Sequence, residues 1–158
     1  MRILLALAAF ALCVFAGLRK SLSLKKRADY LGEILTMLSN FSSEIQLRAP
    51  TLEQLVENES CEFARDVAER KANSADIKTA WESACAALPQ KNEEAALLAE
   101  FGKALINSGM DSAPEVISAY SEKFARLEKT ARDDYSQKGG AFRKIWALCG
   151  IAAAVLII

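Results

Sequence analysis

Two cysteines, Cys61 and Cys85, lie among charged residues in the middle of the 158-residue sequence, where a thiolate could serve as a nucleophile or a metal ligand. Either chemistry needs neighbours. The sequence contains no histidine, so the usual base of a thiol or hydroxyl triad and the commonest catalytic metal ligand are both missing. Its four cysteines never form a C-x-x-C pair. Cys13 and Cys149 fall in apolar runs and read as small packing groups, with a contact between the two left open. Cys61 and Cys85 would stay reduced in a reducing compartment. The acidic pairs Glu93-Glu94 and Asp133-Asp134 are sequence neighbours, which point to different sides of a helix and read as solvated surface. Gly102-Lys103-Ala104 lacks both the glycine spacing and the Ser/Thr of a phosphate-binding loop. An enzyme would have to rest on Cys61 or Cys85 without a histidine base. The residues weigh against catalysis, and no cofactor or metal is expected.

The charges are more informative than the nucleophiles. Lys+Arg and Asp+Glu both total 20, but they are unevenly placed. From Asp29 to Asp134 there are 11 basic and 20 acidic residues, a net of −9; the flanks carry the remaining 9 basic residues and no acid. Arg19, Lys20, Lys25, Lys26 and Arg27 form one basic collar, and Lys138, Arg143 and Lys144 the other. An acidic midsection argues against a nucleic-acid partner, because phosphate contacts need a basic surface.

Outside the collars lie two uncharged runs, Ile3 to Leu18 and Ile145 to Ile158. As helices they measure roughly 24 Å and 21 Å, against a hydrocarbon thickness of roughly 30 Å. Thinning of the bilayer and snorkelling of Arg19, Lys20, Arg143 and Lys144 would make up the difference. The first run also fits the hydrophobic part of a signal peptide, but AGLRKSLSLKKR offers no good cleavage site near it, so retention as an anchor is expected. The expectation is therefore two transmembrane anchors, residues 1–18 and 145–158, around a cytoplasmic helical domain of residues 19–144. Basic collars on the inner side place both termini away from the cytoplasm, with membrane lipid as a partner of Arg19, Lys20, Arg143 and Lys144.

The middle must supply helices. Only three prolines and seven glycines interrupt 158 residues, and no alternating strand pattern occurs. Leu24, Ala28, Leu31, Leu35, Leu38, Ser42 and Ile45 recur at spacings of four and three, with Ile34 and Phe41 widening the stripe. Arg48-Ala49-Pro50 ends that helix. Thr51-Leu52-Glu53-Gln54 reads as a capping box opening a short helix to about Asn58. Further helices are expected over 61–72, from a cap at Asn73-Ser74 to Leu88, and over 93–108 with Gly109 as a left-handed stop. The last carries Pro114 in its first turn and Ile117, Tyr120, Phe124, Leu127, Ala131 and Tyr135 on one face. Gly139-Gly140 is either a hinge or a tolerated weak point. The fold class is all-α, an antiparallel helical bundle whose first and last helices pair.

The C-terminal half, LLAEFGKALINSG followed by EVISAYSEKFARLEKTARDDYSQKGGAFRKIWALCGIAAAVLII, resembles the stage III sporulation protein AB family. The similar features are a Leu-x-x-Phe-Gly-Lys-x-Leu block at Leu98–Leu105, a long charged helix with Leu127-Glu128, and a basic-aromatic approach to the terminal run. Earlier blocks agree in order: Glu44-Ile45, Ala49-Pro50-Thr51-Leu52 and Ala80-Trp81-Glu82. The family tends to carry Gly-x-x-Asp and then Gln between its last two helices, whereas Ile106 to Pro114 here reads INSGMDSAP.

The resemblance implies a fold similar to the helical cytoplasmic domain of type II secretion F proteins. It also implies a place in the outer forespore membrane, on the mother-cell side, in the assembly between mother cell and forespore. The partners implied are a secretion-type ATPase, stage III sporulation protein AA, and other stage III sporulation membrane proteins. On that footing the chain is expected to be a scaffold docking the ATPase, with Glu93, Glu94 and Glu100 as the acidic contact. The rival expectation is an anchored coiled-coil spacer or a homo-oligomer without an ATPase partner.

Overall fold

The computed structural model describes residues 2–48, 50–73, 76–88, 93–141, 144–146, 148–149 and 152, with the side chains of 2–10, 13, 14, 110 and 111 excepted. The described residues are all-α. Helix α1 runs from Arg2 to Arg48 and stops two residues before Pro50, whose ring opposes helical geometry at the position preceding it. Helix α2, Leu52–Asn58, opens with the expected capping box: the Gln54 N–H donates to Thr51 Oγ1 (3.4 Å) and the Thr51 N–H to Gln54 Oε1 (3.1 Å).

Helix α3 spans Glu62–Ala72 and α4 Ile77–Ala87. The cap of α4 differs from the expected Asn73-Ser74. Asp76 is the N-cap and accepts from the Lys78 N–H at 3.2 Å, while the Asn73 N–H closes α3 by donating to the Arg70 and Lys71 carbonyls. Ser74 lies outside the described residues. An aspartate in extended conformation two residues before a helical N–H outcompetes the earlier asparagine because its carboxylate also favours the helix dipole. Side chains tie the short helices together. Lys71 Nζ of α3 meets Glu53 Oε2 of α2 at 2.9 Å, and the Arg70 guanidinium holds Asp66 at 2.9 Å while donating to Ser83 Oγ of α4 at 2.9 Å.

Helix α5 covers Glu93–Asp134 but is two limbs, broken at Gly109 (φ 69°, ψ 171°). This positive φ suits glycine and strains other residues, so the expected left-handed stop is where the chain reverses. Phe101 on the first limb lies 5.5 Å, centroid to centroid, from Tyr120 on the second, so the limbs run antiparallel. A π-helical turn, Tyr135–Gly139, follows. Gly140 keeps helical angles (φ −71°, ψ −43°), so the glycine pair does not break the path.

The chain forms two compact units. The larger, Leu31–Leu127, holds the main core. Its part of the α1 stripe is buried as expected at Leu31, Ile34, Leu38, Phe41 and Ile45, joined by Met37, while Leu35 and Ser42 sit at the margin. Trp81 is its centre, 1% exposed. Phe63 meets the indole edge-on at 5.0 Å, Phe101 lies at 5.9 Å, and the indole N–H donates to the Leu98 carbonyl at 2.9 Å. That approach requires the bare backbone of Gly102. A Cβ there would stand 2.6 Å from Trp81 Cε2 and closer still to Cδ1 and Nε1. The Leu98–Leu105 block thus becomes a socket for the indole, with the Leu98 carbonyl and the Phe101 ring against it and Gly102 as its floor.

The second unit combines Met1–Tyr30 with Glu128–Ile158. Glycines mark where its two segments come close. A Cβ on Gly17 would stand 2.8 Å from Trp146 Cβ, and one on Gly139 would stand 3.3 Å from Ser21 Oγ. The first helix and the C-terminal segment therefore pair antiparallel. From Ala131 to Gly139, both buried, a regular helix would drift roughly 80° off the shared face. The wider π turn takes up that drift.

The expectation of a multi-pass membrane protein with both termini away from the cytoplasm is overturned: among the described residues, no helix is long and apolar enough to cross a membrane. Runs of 16 and 14 residues fall below the about 20 that a span needs. The side chains of residues 3–10, 13 and 14 of the first run, residues 147, 150, 151 and 153–158 of the second, and Arg143 lie outside the described residues.

Two glycine substitutions separate packing from propensity. Gly102→Ala should lower stability by about 1–3 kcal/mol despite alanine's better helix propensity, because it displaces Trp81. Gly32→Ala, with nothing within 4 Å of the new methyl, should raise it by about 0.5–1 kcal/mol. Urea unfolding of the full chain followed by tryptophan fluorescence measures both.

Candidate functional site

The turn at Gly109 brings two helix faces side by side. Residues 93, 96, 97 and 100 share one face of the first limb, at helical spacings of three, one and three. Residues 123, 126 and 127 share the facing side of the second. Between them lies an open groove of about 370 Å³ lined by Glu93, Ala96, Leu97, Glu100, Lys123, Arg126 and Leu127. Its flanks carry opposite charges: Glu93 and Glu100 on one limb, Lys123 and Arg126 on the other, all exposed. Leu97 and Leu127 are half-buried and form an apolar strip along the floor. The Lys123 ammonium sits 4.4 Å above the Tyr120 ring, and Arg126 lies 4.0 Å from Glu122, so the basic flank is braced by its own helix.

This geometry changes the expected acidic patch. Glu93 and Glu100 stand together on the groove, as a seven-residue helical spacing dictates. Glu94 does not join them; it is 4% exposed and faces inward. Adjacent helical positions diverge by roughly 100°, so a face that exposes Glu93 turns Glu94 toward the body. The basic half of the groove, Lys123 and Arg126, is absent from the expected contact. Its signal was present in the Lys123, Arg126, Leu127 spacing, but only the reversal at Gly109 sets that face against Glu93 and Glu100.

Arg19, Lys20 and Lys144 are exposed, and the Arg19 guanidinium lies 5.3 Å from the Phe15 ring centre. Among the described residues, no group of three or more acidic or cysteine side chains is placed to hold a metal ion.

The cysteines are packed, not poised. Cys61 and Cys85 are buried and unbridged. Burial pushes the Cys61 thiol above its usual 9.0 and that of Cys85 up to about 11, with nearby carboxylates adding to the effect. The thiolate needed for nucleophilic attack is thereby suppressed at neutral pH. Cys149 is exposed, and the Cys13 side chain lies outside the described residues. A thiol whose folded pKa is raised stabilises the fold below the unfolded pKa and loses that contribution as pH climbs through the folded one. Stability should therefore fall between pH 9.0 and about 11, less steeply in Cys85→Ala. Thiol labelling with peptide mapping should modify Cys149 in the native chain, and Cys61 and Cys85 only after denaturant is added.

No curated protein and no solved structure matches the chain. A family model described as stage III sporulation protein AB does match, over residues 2–158. Both the Leu98–Leu105 socket and the Trp81 that fills it fall inside that match, and the chain belongs to the stage III sporulation protein AB family.

Proposed function

We propose that this chain is a non-catalytic docking scaffold in a stage III sporulation assembly, and that it holds a secretion-type ATPase, stage III sporulation protein AA, against other stage III sporulation proteins. Family membership supports a stage III sporulation role. The observation that carries the docking reading is the groove: four exposed charges, segregated by sign, around an apolar strip on a helical hairpin. Complementary charge arranged in this way selects and orients a partner more than it adds affinity. The two cysteines available to an enzyme are buried with raised pKa values, which supports a binding role over a chemical one.

A spacer acting as an extended coiled coil finds less support. The α1 stripe from Leu31 to Ile45 is already covered by helices of the same chain and offers no free seam to a second one.

The test is co-purification of the ATPase with the full chain from a sporulating culture. Glu93→Lys with Glu100→Lys should reduce recovery at least about tenfold with helical content unchanged, since two favourable contacts become repulsive. Recovery equal to that of the unaltered chain would reject the groove as the ATPase site. Glu94→Gln, a change inside the body, should leave recovery intact wherever the variant folds.

A further inference from the structure

We infer that the groove is self-complementary and that two copies of this chain dock through it, with a two-fold axis running along the groove. The two flanks carry equal numbers of opposite charges, Glu93 and Glu100 facing Lys123 and Arg126. Because Phe101 meets Tyr120, Glu100 lies toward the Lys123 end and Glu93 toward the Arg126 end. A dyad along the groove exchanges left and right flanks but keeps position along its length. It therefore lays Glu93 of one copy against Arg126 of the other and Glu100 against Lys123, twice over, while the strips formed by Leu97 and Leu127 close on each other. A dyad across the groove would instead set acid against acid and base against base. Charge selects the first arrangement and forbids the second.

The paired surface is small, so the dimer is transient and salt-sensitive, not obligate. It occupies the face assigned above to the ATPase, and self-docking would compete with that partner. The inference itself rests on the groove and not on the ATPase reading: it concerns the purified chain alone.

Two reversed variants test it. Glu93→Lys with Glu100→Lys makes the groove wholly basic; Lys123→Glu with Arg126→Glu makes it wholly acidic. Full-length chains carrying donor or acceptor dyes at the N-terminus are mixed in non-ionic detergent at low salt, which covers exposed apolar side chains such as Leu12 and Phe15. Energy transfer should appear for the unaltered chain, weaken about tenfold or more for either variant alone, and return when the basic and acidic variants are mixed. Added salt, about 0.5 M, should abolish the mixed signal. No association of the unaltered chain overturns the inference. So does association that the reversals leave unchanged, or a mixture that fails to recover, since either places the contact on another surface. Loss of ATPase recovery in the basic variant without any effect on self-association would leave the docking proposal standing and remove this one.

Discussion

One close approach organises the larger unit: an indole laid on a glycine. Trp81 donates its N–H to the Leu98 carbonyl and rests where Gly102 leaves the backbone bare. A buried tryptophan brings more apolar area than any other side chain, but its N–H must be satisfied or burial becomes costly. Carbonyls inside a helix are normally shielded by their own side chains. Removing one side chain four residues after Leu98 opens the carbonyl to the indole. Phe63 and Phe101 then pack on the remaining ring surface, which joins α3, α4 and the first limb of α5 through one group.

The groove depends on that arrangement. Once Phe101 is fixed against Trp81, its other contact, Tyr120, sets the second limb of α5. The reversal at Gly109 supplies the geometry, and the aromatic contacts supply the register. Glu93 and Glu100, about two helical turns apart, then stand across the groove from Lys123 and Arg126. The groove is thus positioned by aromatic residues packed on the buried Trp81.

Much of this was legible in the residues. The α1 stripe, the Thr51 capping box, the stop at Gly109 and the last helix face all follow from local rules of spacing and turn chemistry, and each is found where those rules place it. Non-local consequences were harder to read. Leu-x-x-Phe-Gly-Lys-x-Leu is visible as a block, but nothing in it says that the glycine faces a tryptophan 21 residues earlier. Charge groups Glu94 with Glu93, whereas helical phase separates them. Local sequence does not single out Asp76 over Asn73-Ser74, because several capping residues compete within four positions. Hydrophobicity without length is the weakest guide: the runs of 16 and 14 residues suggest spans, yet no described helix is long and apolar enough to cross a membrane. The π turn had no sequence signal beyond the glycine pair that accommodates it.

Hydrogen exchange of the two indole N–H groups, resolved by NMR of the full chain, tests the central packing claim most directly. Trp81 is 1% exposed and donates to a backbone carbonyl, whereas Trp146 is 36% exposed. The account predicts that the Trp81 proton exchanges only through global unfolding, orders of magnitude more slowly than that of Trp146. Equal, rapid exchange at both would mean that the indole is not seated on Gly102, and the register of the groove would lose its support.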